Sequence, residues 1–109
     1  MDTKHTPGPW KADTVMNSTD LQMEVYVPNR TLAYVLHYPN DITTNETTAN
    51  ALLIAAAPEL LEKLEKMTRL LSFLYHNGRI KENAPGRERI QIAIVDAERA
   101  IEKATTAAE

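Results

Sequence analysis

The chain has 109 residues, of which 43% are apolar and 25% are charged, with a formal net charge of −3 and no cysteine. This length provides for one domain, and the composition is that of a globular protein. The absence of cysteine excludes disulfides, thiol catalysis, zinc–thiolate sites and iron–sulfur clusters. A mildly acidic chain lacks the basic field that attracts nucleic acid or an anionic membrane, so we expect neither as a partner.

Two features of the sequence predict a cytoplasmic protein. Residues 1–9 are polar or contain proline and glycine, without the apolar core of a secretion signal. The densest apolar run, residues 51–57, is far shorter than the roughly 20 residues that a membrane-spanning helix needs. We therefore expect a protein that stays in the cytoplasm.

The first part of the chain predicts an extended arm followed by a β-meander. Two prolines and a glycine prevent a regular helix in residues 1–9. Alternating apolar and polar residues predict strands over 10–16 and 21–27, and residues 31–38 are rich in β-branched, aromatic and aliphatic side chains. Because short turn sequences separate these segments, neighbouring strands should be antiparallel.

The positions of apolar residues predict which strand faces are buried. In the second strand, Met23 and Val25 alternate with Gln22 and Glu24, which is typical of a strand with one covered face. The third strand carries apolar or aromatic residues on both faces. That pattern predicts either a central strand or a strand at an interface.

The C-terminal part, residues 46–106, predicts a short helix and two long ones. The short helix ends at Pro58, which either begins the second helix or kinks one continuous helix. A cap at residues 76–78 ends the second helix, and a loop leads to a third helix over residues 87–105. The predicted apolar seams are Leu60, Leu64, Met67, Leu71 and Leu74 in the second helix and Ile90, Ile94, Ala97, Ile101 and Ala104 in the third.

These elements together predict an α+β fold in a single domain over residues 1–109. A three-stranded antiparallel β-meander should pack against an α-helical hairpin made by the two long helices. The arm occupies residues 1–9, the meander 10–38 and the helical part 46–106. Such a sheet has two free edges and the helices have surplus apolar faces, so we expect a homo-oligomer, most simply a dimer.

Two segments resemble a family of small phage and prophage proteins. Residues 6–10 read TPGPW, and residues 49–64 read ANALLIAAAPELLEKL. They are similar to the TPGPW opening and the ANAxLIAAAPELLEAL-like centre of that family, whereas the strands and the last helix match only in general character. The resemblance implies a phage or prophage gene product that acts in a bacterial cytoplasm. Many such accessory proteins modulate host processes, including antiviral defence.

Three parts of the chain carry candidate binding residues. Trp10 follows a rigid Pro-Gly-Pro segment and either contacts a ligand or partner or anchors the arm to the core. Asn50 lies in an apolar helix, where it contacts a partner or satisfies a nearby backbone group. The remaining candidates are Tyr26, Arg30, Tyr34 and His37 on the second and third strands and the turn between them, and Arg79 and Arg87 around the loop between the long helices.

No pattern in the sequence indicates catalysis or metal binding. The three histidines lack the spacing of metal ligands, and there is no phosphate-binding loop or nucleophile motif. We therefore expect a protein without cofactor or enzymatic activity. The first hypothesis is an accessory protein that binds and modulates a host bacterial protein. The alternative is a sponge for a small phosphorylated ligand, such as a nucleotide signal, at an oligomer interface.

Overall fold

The computed structural model describes residues 4–14, 23–36 and 45–106. The elements are the strands β1 (Lys11–Thr14), β2 (Met23–Val27) and β3 (Arg30–Val35) and the helices α1 (Asn45–Ala55), α2 (Ala57–His76) and α3 (Arg87–Thr105). This arrangement confirms the predicted α+β fold with a three-stranded antiparallel sheet. The chain divides into two compact units, His5–Leu60 and Leu61–Glu109 with Met1–Lys4, so the single predicted domain stays a prediction.

The sheet is an antiparallel meander with the strand order β1-β2-β3. Val25 of β2 lies opposite Ala12 of β1 and Ala33 of β3, which places small apolar residues on both sides of it. A β-bulge follows Val25, because Tyr26 pairs with Thr31 and leaves Leu32 without a partner. Met23 and Val25 are buried and Glu24 between them is not, which confirms the predicted alternation of β2.

Of the two alternatives for the third strand, the central position is wrong, since β2 is central and β3 lies at an edge of the sheet. The apolar side chains on its outer side are uncovered, since Tyr34 is 58% exposed and Leu36, which directly follows β3, is 65% exposed. Aromatic or aliphatic side chains do not by themselves show that a strand face is covered. The face is covered only where another element packs on it. The alternative, that β3 lies at an interface, stays a prediction.

The core of the first unit lies between the sheet and α1. Its buried members are Met23, Val25, Val35 and Ala51, with Trp10, Ala12, Ala33 and Ala55 packed around them. Helix α1 contacts all three strands. Ala51 is fully buried and Thr47 nearly so, and such small side chains allow the helix to approach the sheet closely. The helix that packs on the sheet within this unit is thus the short one.

A single residue, Ala56, separates α1 from α2. Its N–H group donates to the Leu52 carbonyl at 3.0 Å, and its own carbonyl accepts from the Leu60 N–H group at 2.9 Å. Pro58 is the second residue of α2 rather than the first. The first turn of a helix tolerates proline because the N–H groups there have no carbonyl partner in the same helix. Of the two alternatives at Pro58, the structure has two separate helices, and the second begins one residue before the proline.

The two long helices carry their buried residues differently. In α3 the predicted seam is confirmed at Ile94, which is buried, and at half-buried Ile90, Ala97 and Ile101, whereas Ala104 is exposed. In α2 the most buried residue is Thr68, whose hydroxyl donates to the Leu64 carbonyl at 2.7 Å.

The predicted seam of α2 is therefore partly wrong. Leu64, Leu71 and Leu74 are half-buried, but Leu60 and Met67 are exposed. The buried side is turned toward Thr68, which a sequence pattern counts as polar. Because the hydroxyl of Thr68 bonds within its own helix, its methyl group can be buried without leaving a polar atom unpaired.

Glycines in left-handed conformations bound the loop between the long helices. Gly78 has a φ of 70°, and the Arg79 N–H group donates to the Leu74 carbonyl at 3.1 Å, which closes the end of α2. Gly86 has a φ of 84° immediately before α3. The predicted cap at residues 76–78 and the loop up to residue 86 are confirmed.

Candidate functional site

The arm is held by hydrogen bonds that meet at Thr6. The indole Nε1 of Trp10 donates to the Thr6 carbonyl at 3.0 Å, and the Arg30 Nη2 donates to the Thr6 hydroxyl at 2.9 Å. The Trp10 ring is half-buried against the core, with His5 edge-on at 6.2 Å between ring centroids. Of the two alternatives for Trp10, these contacts favour the packing anchor. Arg30 thus tethers the arm through a hydrogen bond to a neutral hydroxyl group.

The two segments that carry the phage resemblance touch each other. A Cβ atom added to Gly8 would lie 3.3 Å from Cγ of Pro58. That distance is tighter than ordinary van der Waals contact, so the glycine allows the arm to lie against the start of α2. The arm therefore belongs to the packed structure of the first unit.

The outer face of the sheet holds two of the candidate binding residues, Tyr26 and Tyr34. Tyr26 is half-buried between Lys11 and Thr31, and Tyr34 lies opposite Glu24. The Thr31 hydroxyl donates to the Glu24 carboxylate on this face. The two tyrosines therefore lie on the same face of the sheet. His37 lies outside the described residues.

The loop before α3 brings Arg87 onto an aromatic ring. The Arg87 guanidinium carbon lies 4.1 Å from the centroid of Tyr75, and its Nη1 donates to the Ile80 carbonyl at 2.6 Å. Arg87 and Tyr75 line a cavity of about 530 Å³. Its lining also includes Glu82, Glu88 and Arg89. Arg79 is exposed and does not line this cavity.

Helix α1 has an unusual distribution of side-chain size. The side that packs on the sheet consists of small residues, notably Thr47, Ala51 and Ala55. Large apolar residues lie on the rest of its circumference: Leu52 is 57% exposed, Leu53 is 63% exposed, and Ile54 is also exposed. Asn50, a predicted candidate, is exposed beside them. We call Asn50, Leu52, Leu53 and Ile54 the α1 outer face.

Sequence reasoning missed the three large members of the α1 outer face. The run of residues 51–57 could have indicated them, because it is apolar throughout and so leaves no polar side on the helix. A helix that is apolar on every side is usually covered on every side. Here only the small-residue side is covered within the described part of the chain.

The family comparison gives the chain its place among known proteins. The model of the family described as Salmonella phage P22 protein Y8K6 matches residues 1–108. The chain belongs to this phage family. The expected relationship to small phage proteins is thereby confirmed. No curated protein and no solved structure matches the chain.

Two further kinds of site are absent from the described residues. No group of three or more histidine, aspartate or glutamate side chains there is placed to hold a metal ion. None of the described helices is both long and apolar enough to cross a membrane.

Proposed function

We propose that this phage protein is a non-enzymatic accessory protein that binds a host bacterial protein through the α1 outer face. The observation that carries the proposal is the inverted order of α1, with small residues inward and large apolar residues outward. Host modulation, including an effect on antiviral defence, and a bacterial cytoplasmic location are parts of the same proposal. They draw support from the phage family.

The energetics of apolar burial explain why this face is expected to have a partner. Fully burying a leucine side chain is worth roughly 1.5–3 kcal/mol relative to leaving it in water. Leu52 and Leu53 each leave more than half of their surface in water. At about 100° per residue, Leu53 lies on the side of α1 away from Ala51, and Leu52 and Ile54 lie on its two flanks. Exposed apolar patches mark sites of protein interaction, and Leu53 is the centre of this one.

Asn50 provides the polar edge that such an interface needs. It is exposed on the same helix, one turn before Leu53 and Ile54. Interfaces combine an apolar centre with hydrogen-bonding groups at the rim, which fix the orientation of the partner. In this proposal Leu53 is the central anchor and Asn50 bonds to the partner at the edge.

The variant Leu53→Glu tests the proposal. Glutamate has nearly the helix propensity of leucine, and position 53 is exposed, so the fold should persist with an unchanged circular dichroism spectrum. Tagged protein is incubated with host lysate, and the captured proteins are quantified by mass spectrometry. We expect the wild type to retain a specific host protein in stoichiometric amount. Leu53→Glu should retain at least about tenfold less of that protein, because binding would bury an unpaired charge.

Ile92→Glu is the matched control, since Ile92 is 59% exposed on α3. Capture by this variant should equal that of the wild type. Equal capture by wild type and Leu53→Glu would contradict the proposal, as would the absence of any specifically captured host protein.

The cavity beside Tyr75 supports a second candidate, the binding of a small phosphorylated ligand. Its volume of about 530 Å³ is within the range of ligand pockets, and Arg87 is already oriented on the ring. However, Glu82 and Glu88 balance Arg87 and Arg89 in its lining, so the cavity has no net attraction for phosphate. Native mass spectrometry of gently purified protein tests this candidate: a bound mass of nucleotide size that Arg89→Gln removes would favour it over protein binding.

A further inference from the structure

The end of α2 carries the only Asn-Gly pair in the sequence, Asn77 and Gly78. Both residues are exposed, and they directly follow His76, the last residue of the helix. An asparagine side chain that precedes glycine can react with its own backbone, because glycine has no Cβ atom to hinder the approach of its nitrogen. The pair is therefore a candidate site of covalent modification, independent of the α1 outer face.

The Asn77 side chain is bonded to the last turn of α2. Its Nδ2 donates to the Phe73 carbonyl at 2.8 Å, and the same carbonyl accepts from the Asn77 N–H group at 3.0 Å. The side-chain hydrogen bond is exposed to solvent, and the end of a helix opens more readily than its centre. The amide is thus held by contacts that break without unfolding the rest of the helix.

The backbone on the glycine side of the pair is open. Gly78 has a φ of 70°, and a Cβ atom built on it would meet no other atom within 4 Å. Within the described part of the chain its N–H group donates no hydrogen bond, whereas the Arg79 N–H group donates to the Leu74 carbonyl at 3.1 Å. The Gly78 nitrogen therefore does not have to leave a protein acceptor in order to react.

We propose that Asn77 is a site of self-modification, at which the asparagine becomes aspartate or isoaspartate. Hydroxide removes the proton of the Gly78 N–H group, the nitrogen bonds to Cγ of Asn77, and the bond between Cγ and Nδ2 breaks. Nδ2 takes a proton from water and leaves as ammonia. Water then opens the resulting succinimide ring. Opening at one carbonyl gives aspartate, and opening at the other gives isoaspartate, in which the main chain runs through Cγ.

Neither product keeps the contacts of the original amide. A carboxylate has no N–H group to donate to the Phe73 carbonyl, and it places a negative charge at the C-terminus of α2, where the helix dipole disfavours it. Isoaspartate also lengthens the main chain just before Gly78, whose left-handed conformation closes the helix. Both products therefore loosen the end of α2.

The cavity beside Tyr75 depends on this end of the helix. Tyr75 belongs to the last turn of α2, and the loop that follows Gly78 carries the Ile80 carbonyl. Arg87 contacts the Tyr75 ring and donates to the Ile80 carbonyl, so it connects the helix end to the loop. Modification of Asn77 is thus expected to separate Arg87 from the ring and to change the shape of the cavity.

Timed incubation of the folded full chain at neutral and at alkaline pH tests the proposal. Peptide mapping with electron-transfer fragmentation measures aspartate and isoaspartate at each asparagine, and the released ammonia is quantified. We expect both products at residue 77, formed in step with ammonia and faster at alkaline pH because hydroxide takes part. Asn50 and Asn83 precede alanine and serve as internal controls that should stay intact. A folded chain that keeps Asn77 intact while the same chain in urea converts it would overturn the proposal.

Two substitutions of Asn77 test the mechanism and its consequence. Asn77→Gln keeps a side-chain amide but would have to close a larger ring, so this variant should release no ammonia while the wild type does. Equal release by both would overturn the assignment to Asn77. Asn77→Asp reproduces one product, and we expect its melting temperature to fall by about 4 °C, the shift that one lost hydrogen bond produces in a domain of this size. An unchanged melting temperature would overturn the loosening of α2.

Discussion

Thr6 connects the arm to the rest of the first unit through both of its oxygen atoms. Its carbonyl accepts from Trp10, and its hydroxyl accepts from Arg30. The sequence could predict that Trp10 is rigidly placed, because Pro-Gly-Pro precedes it. It could not predict the contact with Arg30, which lies 24 residues further along the chain. Tertiary contacts of this kind have no local pattern.

Trp10→Ala tests the packing role of the indole. Removing a fully buried tryptophan costs roughly 3–5 kcal/mol, and Trp10 is half-buried, so we expect a loss of about 2 kcal/mol. Urea denaturation followed by circular dichroism measures this loss. The control is Tyr34→Ala on the exposed outer face, which should change stability by less than about 0.5 kcal/mol. Equal stability of Trp10→Ala and wild type would assign Trp10 to a contact role instead.

Ala51 is the residue on which the close approach of α1 to the sheet depends. It has no exposed surface and packs with Val25 and Val35. We expect Ala51→Leu to lower the free energy of unfolding by about 1–3 kcal/mol, because the added volume has no space. Ala49→Leu, on the exposed side of the same helix, should have little effect. If both variants are equally stable in urea denaturation, the close packing of α1 on the sheet at Ala51 would be contradicted.

The elements themselves could largely be predicted from local sequence. Alternation of apolar residues identifies β2, and Gly78 and Gly86 bound the loop between α2 and α3 because each takes a left-handed conformation. What the sequence could not supply is the covered side of α2. Its apolar residues extend around half of the helix, and only tertiary packing selects the side of Thr68.

Pro58→Ala tests how α1 and α2 are joined. Proline in the first turn of α2 restricts the unfolded chain and contacts Gly8, so its replacement should lower stability by about 1 kcal/mol. If α1 and α2 instead formed one kinked helix, alanine would relieve an interior proline and raise stability by up to about 3 kcal/mol. The sign of the change in urea denaturation therefore distinguishes the two arrangements.

For the whole molecule, the sequence predicted the family better than it predicted which apolar residues are exposed. Membership of the phage family is shown over residues 1–108. The predicted candidates Trp10 and Arg30 are engaged in holding the arm, and only Asn50 among the candidates lies on the α1 outer face. Composition shows that the chain has more apolar residues than its core needs. Only the fold shows which of them stay exposed.

Site-specific photocrosslinking in host cells tests the role of the α1 outer face most directly. Leu53 is replaced by p-benzoylphenylalanine, which keeps an apolar side chain at this exposed position, and Lys103 on α3 is replaced in a control. We predict that illumination joins a host protein to position 53 and not to position 103, and that Leu52→Glu in the same chain suppresses the adduct. No host adduct at position 53, or the same adducts at both positions, would contradict a binding role for this face.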